Sequence, residues 1–113
     1  MILPSELLDV ANSLFNYGIR NVNDEAKYRS IINRAYYAAF LTARDNAGIT
    51  SKRDVHKAVI DYYINAGNFC VSNKLSSMRN HRRKSDYDLN SPITLQDVRD
   101  VLRDSKQLIM SFT

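Results

Sequence analysis

Between Asn23 and Gly48 the chain passes through a long stretch that contains neither glycine nor proline, and its apolar residues recur at helical spacing. Tyr28, Ile32, Ala35, Tyr36, Ala39 and Ala43 form one stripe, and Ile31, Ala38 and Leu41 widen it beyond what a helix with a single neighbour needs. Asn23 offers an N-cap, and Asp24 and Glu25 put acids in the first turn, where the helix dipole favours them. At about 1.5 Å per residue this helix spans roughly 35 Å, longer than the ~26 Å of twice a compact domain's radius of gyration. The stretch therefore predicts a central helix in an elongated bundle.

The remaining punctuation divides the chain in the same way. Leu7, Leu8, Ala11, Leu14 and Phe15 give a first helix over Ser5 to Tyr17, with Gly18 placed as a left-handed C-cap. Thr50 or Ser51 can cap a third helix carrying Val55, Val59, Tyr62 and Tyr63, which should end near Ala66 and Gly67. A fourth begins around Phe69 and uses Val71, Leu75 and Met78 before turning basic from Arg79. Leu89 to Pro92 reads as a connector. Thr94 then caps a last helix, with Asp97 as an acidic capping-box partner and Val98, Val101, Leu102, Leu108, Ile109 and Phe112 on its inner face. The expected fold is all-α: one domain, residues 1–113, with four or five helices in an up-and-down antiparallel bundle.

Composition excludes several classes. With 3 Gly and 2 Pro in 113 residues, a many-stranded sandwich or barrel lacks its turns. Cys70 stands alone and the histidines are two, His56 and His81, so neither an internal disulfide nor a Cys/His zinc site is expected, nor any metal or cofactor. No apolar window approaches the roughly 18 residues of a membrane span, and the N-terminus lacks the pattern of an export signal. The expectation is a cytoplasmic protein in a reducing compartment.

The net charge is +4, and Arg79, Arg82, Arg83 and Lys84 equal it by themselves. They lie in Ser76 to Leu89, SSMRNHRRKSDYDL, with His81, Asp86 and Tyr87 among them. If the helix persists, Arg79, Arg82 and Arg83 share one side at spacings of three and four, so their guanidinium groups can converge on a phosphate. His81 points elsewhere unless the helix breaks. The same residues have a purely structural use, because basic side chains near a helix C-terminus complement its dipole and a charge run is often a solvated face. On the central helix, NRAYYAAF (Asn33 to Phe40) sets polar Asn33 and Arg34 before paired tyrosines. Tyr36 and Tyr37 read as core aromatics with locally bonded hydroxyls. Arg34 can reach solvent, pair with an acid such as Asp86, or add to an anion site.

The two segments RSIINRAYYAAF and RNHRRKSDYD, in this order, resemble the HEPN superfamily of small all-helical proteins, from about Asp24 to the last helix. The resemblance implies a four- or five-helix bundle, commonly a homodimer, that binds RNA or nucleotide phosphate through Arg79, Arg82, Arg83, Lys84 and Arg34. Many such domains are metal-independent endoribonucleases of toxin–antitoxin, CRISPR-linked or phage-defence systems. Others are non-catalytic modules, antitoxins or accessory subunits that partner a nucleotidyltransferase or defence effector from the same operon. The active branch carries an Arg followed by a polar residue and then a His four to six residues on. Arg79 and Asn80 match the first half, but His81 comes two residues after Arg79 and no later His follows. Metal-free cleavage needs cations for the phosphorane charge and groups that move protons. Arg79 and Arg82 can serve the charge. The catalytic set implied is Arg79, His81 and Tyr87, although a tyrosine's ordinary pKa near 10 makes Tyr87 a poor base at neutral pH.

Overall fold

A computed structural model of the chain describes residues 4–17, 24–50, 52–87, 90 and 92–112, and of Ser5, Tyr17, Asp24 and Tyr87 the backbone alone. Its elements are α1 (Pro4–Tyr17), α2 (Asp24–Ala47), α3 (Val55–Asn65), α4 (Phe69–Tyr87) and α5 (Leu95–Met110), with no strand among the described residues. The all-α expectation holds. The molecule measures 43 × 29 × 24 Å, elongated as the central stretch implies, and α2 is its longest helix at 24 residues. The expected caps at Gly18, Asn23 and Ser51 lie outside the described residues, as do Leu89 and Ser91 of the connector.

α2 touches all four other helices. Ile31, Ile32, Ala35, Tyr36, Ala38, Ala39 and Ala43 are all fully buried, so its apolar surface extends well beyond one stripe. Small alanines let neighbours approach closely. On α5 the buried Ser105 hydroxyl donates to the Ala35 carbonyl at 2.7 Å, a bond that needs such an approach. Val59 and Tyr63 of α3, Val71, Leu75 and Met78 of α4, and Val98, Val101 and Leu108 of α5 complete the core.

Helix ends follow their local sequence. At Gly48 (φ 69°) the glycine N–H bonds the Asp45 carbonyl and the Ile49 N–H bonds that of Arg44. At Gly67 (φ 76°) the corresponding acceptors are Ile64 and, for the Asn68 N–H, Tyr63. Both are Schellman motifs, in which a left-handed residue lets the chain turn back on the last carbonyls. Asn68 then caps α4 by accepting from the Val71 N–H, and Thr94 and Asp97 form the expected capping box on α5. The start of α3 differs from expectation. Thr50 does not cap it; the N-cap is Asp54, in a left-handed conformation (φ 48°) and without a side-chain capping bond.

That late start accompanies a change of direction. His56 lies beside Tyr36 and Tyr63 beside Ala43, so the residue numbers rise together and α3 runs in the same sense as α2. A strict up-and-down bundle would have α3 descending. Between the end of α2 at Ala47 and the start of α3 at Val55 the chain instead returns to the level of Tyr36. α4 is antiparallel to α2, since Arg82 lies on Tyr36 and Asp86 reaches Asn33. α5 turns again to run with α2, since Ile93 reaches Glu25 and Ser105 reaches Ala35.

Candidate functional site

The basic segment is helical to its end. α4 continues unbroken to Tyr87, so Arg79, Arg82 and Arg83 do share one side of it, and the helix break that would swing His81 round to them is absent. Arg29 of α2 fixes that end of the helix. It donates to the carbonyls of Lys84 (3.1 Å) and Ser85 (2.6 Å) while its other nitrogen pairs with Glu25 at 2.8 Å. Carbonyls left over at a helix C-terminus are thus answered by a cation from the neighbouring helix. The Arg29 hydrogen bond holds the Glu25 carboxyl below its ordinary value.

Arg82 faces α2. Its guanidinium lies 4.9 Å from the Tyr37 ring centre and 5.8 Å from that of Tyr36, and its Nε is 3.0 Å from Asp86 Oδ2. Asn33 Nδ2 donates to the same carboxylate at 3.1 Å. It is Asn33, therefore, that meets Asp86; Arg34 donates instead to the hydroxyl and carbonyl of Ser30, one turn back on its own helix. Cation–π contact and ion pair together fix Arg82 as a charge in the wall of the site, with its side chain only 15% exposed.

The other side of the tyrosine pair is occupied by His56 from α3. The Tyr36 hydroxyl is 2.6 Å from His56 Nδ1, and the imidazole stacks on Phe40 at 4.2 Å between centres. Burial holds the Tyr36 phenol well above its ordinary pKa, against the opposing fields of Arg79 and Arg82. His56 is held below its ordinary 6.5, by burial first and then by the positive fields of Arg79 and Arg82. Two arginines and one histidine therefore act on one another across the tyrosine pair. Tyr36 and Phe40 are too deeply buried to serve as a stacking platform for bases, and the partly exposed Tyr37 has Arg82 on its ring.

His81 and Lys84 point the other way. Their nitrogens lie 3.7 and 3.8 Å from the Asp97 carboxylate oxygens, at the capping box of α5. Burial pushes the Asp97 carboxyl up, but the Thr94 backbone and hydroxyl bonds, Lys84 and His81 together pull it below its ordinary value. Arg79 is partly exposed and Arg83 exposed, on the same side of α4 as Arg82. The Tyr87 side chain lies outside the described residues. The sequence thus identifies the arginine face, while His56 escapes it: it sits 23 residues before Arg79, and its proximity depends on the direction of α3. No group of three or more metal-ligating side chains occurs among the described residues. A comparison with protein-family models, curated proteins and solved structures finds no match for the chain.

Proposed function

We propose that the chain is a HEPN-like RNA-binding domain whose phosphate site, on the Arg79–Arg83 face of α4, gives it metal-independent ribonuclease activity. The observation that carries this reading is the shared surroundings of Arg79, Arg82 and His56: fixed positive charge beside a titratable ring, around an aromatic pair that excludes water. Fixed cations of this kind stabilise the charge that builds on a phosphorane, and histidine is the usual proton carrier. The resemblance of RSIINRAYYAAF and RNHRRKSDYD to the superfamily supplies the substrate class and the homodimer. Binding should be insensitive to base sequence, since recognition is of phosphate.

The deciding test is incubation of the purified protein with a mixed RNA pool in EDTA beside an Arg79→Ala control, with end-group analysis of the products. Arg79-dependent products ending in 2′,3′-cyclic phosphate are expected. A folded protein that leaves RNA intact and unbound overturns the reading. It would favour a non-catalytic module docking a protein partner, for which Tyr62, Ile64 and Phe69, 44%, 44% and 59% exposed near the α3–α4 turn, are apolar side chains open to contact.

A further inference from the structure

Within that functional reading, on which this inference rests, α4 brings cations to the phosphate but no histidine, because His81 is turned to Asp97 at the start of α5. We propose that His56, contributed by α3, is the proton-transfer group of the site, with Tyr36 as its positioning residue. Three observations converge on this.

The first is orientation. Nδ1 of His56 is engaged by the Tyr36 hydroxyl at 2.6 Å, and Phe40 stacks against the ring at 4.2 Å, so the imidazole is held in plane and in rotation. Nε2, on the opposite edge, has no hydrogen-bond partner among the described residues, and the side chain is partly exposed. The second is location. His56 and Arg82 flank the same tyrosine pair, with the imidazole centre 5.6 and 6.1 Å from the Tyr36 and Tyr37 rings and the guanidinium 5.8 and 4.9 Å from them. The third is the charge balance. The groups acting on His56 from the packed elements are Tyr36 and Tyr37 of α2 and Arg79 and Arg82 of α4, with Asp86 paired behind Arg82; on its own helix Lys57 and Asp61 pair with each other. Without an anion, burial and then the two arginine fields lower the ring's affinity for a proton. A phosphate between Arg79 and His56 offsets those fields and restores the ring's affinity for a proton.

The step follows. The 2′-hydroxyl gives its proton to water as its oxygen bonds to phosphorus, while Arg79 holds the non-bridging oxygens. The bond from phosphorus to O5′ breaks, and O5′ leaves with the proton from Nε2 of the imidazolium. The ring then regains a proton from water, so the products are a 2′,3′-cyclic phosphate and a 5′-hydroxyl with no net change in acid. In the charged ring the Nδ1 hydrogen donates to the Tyr36 oxygen.

The experiment compares wild type, His56→Asn, Tyr36→Phe and Arg79→Ala in RNA cleavage across pH in EDTA, with RNA affinity measured separately. It also follows the titration of the His56 ring by NMR in wild type with and without inorganic phosphate. Expected are a cleavage rate for His56→Asn lowered by about 100-fold or more, RNA affinity within about fivefold of wild type, and loss of the fall in rate above neutral pH. Phosphate should move the His56 midpoint upward. Should His56→Asn fail to melt cooperatively, Tyr36→Phe carries the test: it keeps both rings, and its rate should drop with a displaced pH profile. The proposal is overturned by Arg79-dependent cleavage that is unchanged in His56→Asn and Tyr36→Phe, by a His56 midpoint indifferent to phosphate, or by a wild type that binds RNA without cutting it; each leaves RNA binding standing. A wild type that neither binds nor cuts RNA overturns both this inference and the function it rests on.

Discussion

Burial of Tyr36 leaves its hydroxyl facing His56 Nδ1, and the pair ties together two residues whose protonation states depend on each other's surroundings. His56 titrates below its ordinary 6.5 in the folded protein, so the unfolded chain binds the proton more readily. By linkage, its contribution to stability is complete above about pH 6.5 and is lost as the pH falls through the lower folded value. Asp97 acts in the same sense at more acid pH, because its folded value lies below the ordinary 3.8 and its contribution is lost only below that range. The His56 effect therefore sets in just below 6.5, in an interval apart from that of Asp97. Urea denaturation of wild type should give a midpoint that declines over this interval, and His56→Asn should flatten part of the decline. An equal decline in both proteins would mean that neither burial nor the arginines lower the ring's affinity for a proton.

At the scale of elements, the direction of α3 decides which side chains meet. The helices themselves were legible: glycine at 48 and 67, Asn68, and the Thr94–Asp97 pair each act at the end to which local chemistry assigns them. The arginine face was legible too, since its spacing needs only an intact α4. What was not legible is the partner across the groove. His56 meets Tyr36 because α3 starts back at the level of Tyr36, and nothing in the local pattern of Thr50 or Ser51 distinguishes a helix starting there from one starting after a left-handed Asp54. Asn33 displaces Arg34 as the partner of Asp86 for a related reason: one position on a helix is a rotation of about 100°, which the stripe of apolar residues alone does not resolve. The Schellman turns that frame α3 are open to test. A Cβ at Gly48 or Gly67 would meet nothing within 4 Å, so replacement by alanine strains the backbone alone. Each of Gly48→Ala and Gly67→Ala should cost about 1 kcal/mol, nearly additively in the double variant, as read by equilibrium denaturation. A neutral effect at either site would mean that the left-handed turn is not required there.

Across the whole molecule, the charge excess is concentrated on α4, but its members are not equally available to a ligand. Arg82 is paired with Asp86 and lies against two rings, Lys84 is drawn toward Asp97 at 3.8 Å, and Arg34 is bonded back to Ser30. Arg79 and Arg83, partly exposed and exposed, have no such partner among the contacts described. For a protein that binds RNA by its phosphates, affinity falls with salt in proportion to the number of phosphates neutralised, at about 0.7 in the log–log slope for each contact on a single strand. Arg79→Gln and Arg83→Gln should each make that slope shallower by about 0.7 and weaken binding to unrelated sequences alike. Lys84→Gln should do less, because releasing Lys84 from Asp97 offsets part of what an RNA contact gains, and Arg34→Gln should leave the slope where it is. Fluorescence anisotropy with a labelled single-stranded RNA at four or more salt concentrations separates these cases. If all four substitutions shift the slope equally, RNA senses only the total charge of the molecule, and the ordered arginine face of α4 has no special part in binding.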